Sequence, residues 1–151
     1  MTNTNYKTIA SKIKFEGRAF INGRYVDAID GEKFKTINPA TGDVLCEVAK
    51  CNKKDVDLAV KVSRKAFNSG VWSKSSPEFR KDVLLKFAEL LREHGVENSV
   101  LECIDTGKLI GDCINEVAND APMHFQWYGE LIDKVFGKVG PTEPSLTSLI
   151  V

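Results

Sequence analysis

The side chains of widest chemical reach in this sequence are Cys46, Cys51, Cys103 and Cys113, together with His94 and His124. A cysteine attacks or ligates as its thiolate, so a working nucleophile needs a histidine, a cation or a helix N-terminus beside it. Cys103 stands just before Asp105 and Cys113 directly after Asp112, and a neighbouring carboxylate makes a thiolate scarcer. Cys46 and Cys51 flank the end of one apolar run, without a histidine or an evident electropositive setting nearby. The intervals between the four, 4, 51 and 9 residues, match neither a CxxC pair, nor a disulfide-dense scaffold, nor a zinc pattern. The expectation is four reduced thiols mostly in or near a core. Both histidines read as helix-surface or satisfied core residues rather than general bases. No G-x-G-x-x-G or phosphate-cradling glycine loop occurs.

Charge narrows the partners further. Lys and Arg total 21, as do Asp and Glu, so no net field draws a polyanion or an acidic membrane, and no basic run is interleaved with aromatics. No segment approaches the length of a bilayer span, and residues 1–15 lack the apolar stretch of a secretion signal. A cytoplasmic protein with no nucleic-acid and no membrane partner is expected. A length of 151 residues, 42% hydrophobic and 28% charged, suits one compact unit.

The elements that must position these groups fall in two parts. Up to Gly17 little periodicity is read. Phe20-Ile21-Asn22-Gly23-Arg24 predicts a tight hairpin, because Asn-Gly accepts positive φ. Phe34–Ile37 and Val44–Ala49 predict a second strand pair joined by Asn38-Pro39-Ala40-Thr41-Gly42-Asp43. The period then turns helical: Asn52 with Asp55 caps a helix carrying Val56, Ala59, Val60 and Phe67, stopped by Gly70. Ser76-Pro77-Glu78 starts a second helix whose apolar face is Val83, Leu84, Phe87, Leu90 and Leu91, ended by Gly95. A third runs from Glu97 to about Ile104 and closes at Thr106-Gly107. The fourth spans about Gly111 to Phe136, with Ala121, Phe125, Tyr128, Leu131, Ile132 and Val135 buried. Pro122 predicts a break there, with Asp120 capping the second piece. Leu146–Val151 reads as the start of a strand.

Seven segments in this order resemble the amino-terminal part of the aldehyde dehydrogenase superfamily, from about Phe20 to Val151. They are FING at 20–23, INPATG at 37–42, VDLAVKVSRKAF at 56–67, and Trp72 before SSPEFR at 75–80. LLKFAELLREH at 84–94, LECIDTGK at 101–108 and WYGELIDKVFGKV at 127–139 complete the series. The tone is nearest to the branch acting on aminoaldehydes, betaine aldehyde and γ-glutamyl-aminobutyraldehyde. One departure is Leu109, where the family commonly has proline after its DTGK motif.

The resemblance implies an α/β aldehyde dehydrogenase-like fold, of which this segment is amino-terminal β-hairpins, about four helices and a terminal strand. It divides the chain into a flexible arm (1–17), part of a coenzyme-binding domain (18–140) and the start of a truncated oligomerisation strand (141–151). The family oxidises aldehydes to acids with NAD or NADP, through a cysteine thiolate and a glutamate base that lie downstream of these motifs. Neither a catalytic nor a cofactor-binding residue is therefore expected within this chain, and it is expected to be inactive alone. By the same resemblance a structural monovalent cation, Na+ or K+, is held by the carbonyls of Thr36 and Ile37 and by Asp105. The alternative is that Asp105 accepts hydrogen bonds from the Thr106-Gly107 turn. Asp120 resembles a substrate-tunnel residue favouring a cationic amino group, or else a helix cap. Trp127 and Tyr128 border that tunnel or belong to the core. The partners implied are the remaining aldehyde dehydrogenase domains or a homo-oligomer. A non-catalytic assembly module associating through its bare faces, and a decayed remnant, stand as the alternatives.

Overall fold

The computed structural model describes residues 4–150. Two hairpins fill most of its first third and helices follow from Lys53, as the change of period requires. Strands β1 (Ala19–Ile21) and β2 (Arg24–Val26) pair antiparallel, Phe20 opposite Tyr25. Asn22 and Gly23 turn between them at φ 55° and 76°, the paired positive angles that match a hairpin's twist. Strands β3 (Lys33–Ile37) and β4 (Val44–Ala49) form the second hairpin, with a register shift between Thr36 and Ile37. Its turn is closed by the Asn38 amide donating to the Asp43 carbonyl at 2.8 Å and the Asn38 side chain accepting from the Ala40 amide at 2.9 Å.

Preceding the hairpins, α1 (Tyr6–Ala10) is one turn capped by Asn5 and packs on α4. The stretch without clear period thus contains a helix. Helix α2 (Lys53–Ser69) opens with a reciprocal capping box: the Asn52 side chain accepts the Lys54 amide at 2.7 Å, and Asp55 accepts the Asn52 amide at 2.8 Å. Asp55 is buried and also accepts the Ile29 amide at 2.9 Å, so one carboxylate fastens α2 to the chain leaving the first hairpin. Gly70 closes α2 in the left-handed region.

Helix α3 (Pro77–Glu93) starts at the Ser76 cap, as its sequence predicts. Gly95 opens α4 (Gly95–Thr106) rather than merely ending α3, because an ideal Cβ on it would stand 2.8 Å from the Ala118 Cβ. Gly107 caps α4 at φ 76°. Leu109 then holds φ −64° before α5 (Ile110–Cys113), an angle proline also adopts.

The expected break at Pro122 does not occur. Residues Ile114–Asp120 form a π-helical stretch that runs directly into α6 (Ala121–Leu131). The wider turn makes room for a proline ring that would otherwise meet the carbonyl four residues back. Asp120 is helical, at φ −73° and ψ −45°, and its side chain makes no capping bond.

The faces also differ from the periodic reading. Helices α3 and α6 meet through small residues: Ala88, Pro122 and Gly129 are buried, and a Cβ on Gly129 would lie 3.1 Å from the Leu84 Cβ. Val83, Phe87, Leu90, Phe125, Tyr128 and Val135, all read as core, are exposed. After the 3-10 turn Ile132–Lys134, strand β5 (Lys138–Gly140) pairs with β6 (Ser148–Ile150). The expected terminal strand is therefore half of a hairpin whose other half was read only as a helix stop; Val151 lies outside the described residues.

Candidate functional site

The β3–β4 hairpin and α4 face each other across a groove of about 740 Å³. Phe34, Thr36, Cys46 and Val48 line its strand side, and Leu101, Glu102 and Asp105 its helix side. At one point the two walls touch, where a Cβ on Gly107 would stand 2.9 Å from the Pro39 ring. The groove thus unites Thr36 with Asp105, whereas Ile37 is next to it in sequence but does not line it.

The β3 register shift falls at Thr36 and Ile37, and a bulge withdraws backbone groups from the ladder. Of the two acidic side chains on the helix wall, Glu102 is offset by Lys108 at 3.5 Å, and Lys108 itself binds Glu116 at 2.6 Å. The Asp105 side chain makes no hydrogen bond or ion pair among the described residues. It does not serve the following turn either, since the Gly107 amide donates to the Cys103 carbonyl at 3.0 Å and the Lys108 amide donates to the Thr106 hydroxyl. Oxygen donors beside one uncompensated carboxylate suit a hard monovalent cation. No cluster of three or more His, Cys, Asp or Glu exists among the described residues.

Cys113 is fully buried, and burial, with the nearby Cys103 thiol, pushes its own thiol above the ordinary range. Cys103 donates to the Lys108 carbonyl at 3.1 Å. Cys51 is exposed and Cys46 half-buried in the groove, which no histidine lines. His94 caps the junction of α3 and α4, and the His124 Nδ1 lies 2.8 Å from the Asp120 carbonyl oxygen.

Asp120 and Trp127 are separate from this groove. They lie seven residues apart on the π-to-α6 segment, a spacing that returns a helix to one side. Asp120, Trp127 and Tyr128 are all exposed among the described residues, Trp127 by 63% and Tyr128 by 60%. The described strands make three antiparallel pairs, and among them none leads through a glycine-rich turn into a helix.

What sequence reasoning missed is the third wall. Lys14, Phe15 and Glu16 also line the groove. The signal was present, because Ile13, Phe15, Gly17 and Ala19 alternate with charged residues at period two, and these four are the half-buried ones.

The aldehyde dehydrogenase family matches residues 25–151 of this sequence. This chain belongs to the aldehyde dehydrogenase family. It is 38% identical over its full length to aminoacetaldehyde dehydrogenase of Pseudomonas aeruginosa, of which it covers 30%. To an NADP/NAD-dependent aldehyde dehydrogenase of Escherichia coli it is 39% identical over 94% of its length, covering 29% of that protein.

The fold agrees. A γ-glutamyl-γ-aminobutyraldehyde dehydrogenase of Burkholderia cenocepacia superposes with a TM-score of 0.89 at 43% identity, over 95% of this chain and 29% of that one. An indole-3-acetaldehyde dehydrogenase of P. syringae, in complex with NAD+, gives 0.88 at 38% identity over the same shares. The hairpins and helices are therefore part of the aldehyde dehydrogenase fold, and the chain spans about 30% of the length of the curated relatives it matches, in their amino-terminal part. Relatives named for aminoaldehydes are among those matched.

Proposed function

We propose that this chain is the amino-terminal framework of an NAD(P)-dependent aldehyde dehydrogenase, oxidising an aldehyde to its acid with a nucleophile, base and cofactor cradle carried on other residues than these 151. The observation that carries the reading is surface. The chain exposes 11632 Å², where a folded monomer of its mass exposes roughly 7,600 Å². Exposed large apolar side chains lie along α2, α3 and α6, among them Phe67, Phe79, Phe87 and Trp127. Such faces belong to an element that something else covers. The remaining aldehyde dehydrogenase domains are the proposed partner, within a homo-oligomer in the cytoplasm.

Two sites follow under the same reading. A Na+ or K+ is held where β3 faces α4, by the carbonyl of Thr36 and the carboxylate of Asp105, which line the groove, and by the carbonyl of Ile37, which follows Thr36 at the register shift. Asp120, with Trp127 beside it, lines the approach of an aldehyde bearing a cationic amino group, which the free carboxylate attracts.

Aldehyde-dependent NAD+ reduction by the purified chain, alone and mixed with the complementary domains of a relative, tests the proposal. Activity only on mixing is expected. Turnover by the chain alone that disappears on replacing its own cysteines overturns it. The exposed faces also suit a non-catalytic assembly module; a discrete stable homo-oligomer that never restores activity on mixing would favour that reading instead.

A further inference from the structure

The two proposed sources of cation ligands stand on different elements, Thr36 on β3 and Asp105 on α4, with an open groove between them. An ion site divided in this way works only if the spacing of its walls is fixed. Pro39 on Gly107 is one tie. The other is the arm that precedes the hairpins. Its first turn, α1, packs on α4, while no packing of that extent joins β3 or β4 to α4. Its following residues, Lys14 to Glu16, roof the groove. It then reaches the strand wall, where the Gly17 carbonyl accepts the Ala49 amide at 2.7 Å.

Gly17 is the residue that allows this approach. An ideal Cβ there would stand 2.0 Å from the Glu47 carbonyl oxygen and 3.0 Å from its carbon, and both are backbone atoms that no side-chain rotation can clear.

We propose that residues 6–17 are a brace that holds the strand and helix walls of the cation groove at working distance, with Gly17 as its positioning residue against β4 and Phe15 as its roof. This rests on the cation reading of Thr36, Ile37 and Asp105. A released brace lets the carbonyls and the carboxylate drift apart and admits water, so cation affinity falls while the helices remain folded.

The test is thermal unfolding of the whole chain in NaCl or KCl against choline chloride at matched ionic strength. Ligation to the folded state alone raises Tm by an amount set by ligand concentration and affinity. Wild type is expected to gain a rise specific to the metal cation that Asp105→Asn removes. Gly17→Ala and Phe15→Ala are expected to shift the cation concentration giving half that rise upward by about tenfold. If wild type gains nothing over choline chloride, the cation site fails and the brace with it. If wild type gains the rise and both variants keep its midpoint, the brace is overturned while the cation site stands. Should Gly17→Ala not fold, Phe15→Ala, which adds no clash, decides.

Discussion

At the scale of single residues the chain's charges are mostly surface fasteners, and one of them sets a pH dependence. Asp133 accepts from Lys134 at 2.8 Å and from Lys81 at 2.7 Å, tying the end of α6 to α3. These two ammonium groups, Lys134 foremost, hold its carboxyl at about 2 instead of 3.8. A carboxyl lowered in the fold favours the folded state above its unfolded pKa, and that contribution disappears as pH falls through the folded value. Asp133→Asn should therefore lower the urea midpoint at neutral pH. The gap to wild type should close between about pH 4 and pH 2, as read by circular dichroism. An unchanging gap would assign the effect to packing. The pair is solvent-exposed, so the difference is expected to be small. Asp55 makes a contrast, since its work is done by hydrogen bonds to two backbone amides rather than by pairing with a cation.

At the scale of elements the joints are built from glycine, and one substitution exposes what they hold apart. Gly95 lies where α4 meets the π stretch, and a methyl group there would be 2.8 Å from the Ala118 Cβ and 3.0 Å from its Cα. Alanine ordinarily favours a helix over glycine by about 1 kcal/mol. Here two backbone-fixed atoms must separate, a strain of roughly 1–3 kcal/mol that outweighs the gain. Gly95→Ala should lower stability by about 1 kcal/mol in denaturant titration, and an increase would show that the helices are free to slide.

Gly95 also marks how far sequence reading reached. Starts and stops were legible, because Asn22-Gly23, Asn52 with Asp55, Ser76-Pro77 and Gly107 act through local geometry. The buried faces were less so. Tyr128 carries the right period but is exposed, and Phe87 meets Phe125 of α6 edge-on at 4.6 Å only at the exposed margin of a contact whose buried part is Ala88, Pro122 and Gly129. Of the groove between β3 and α4, Thr36 and Asp105 came through resemblance. The roof formed by Phe15 was missed because its period of two ran into the hairpin that followed.

At the scale of the whole molecule, few apolar side chains are buried, and they are small: Ala28, Ala49, Ala88, Val100, Cys113 and Pro122 among the described residues. A chain of this size usually gathers a larger centre, and the aromatic side chains that would form one lie outside, among them Phe67, Phe136 and Trp127. Sedimentation velocity should accordingly show a weight-average mass that rises with concentration. A strictly monomeric chain at high concentration would mean that these faces are tolerated by solvent as they stand.

The π-helical stretch Ile114–Asp120 has a consequence of its own at this scale. Each helical residue advances the winding by about 100°, and the widened turn holds one residue more than a regular α-helical path would. It is thus a rotational gauge for everything after it, α6 and the β5–β6 hairpin alike. Losing one residue there would leave sequence and helix content nearly intact. It would turn the last fifth of the chain about its axis by about 100°, carrying Trp127 to a different side of the molecule.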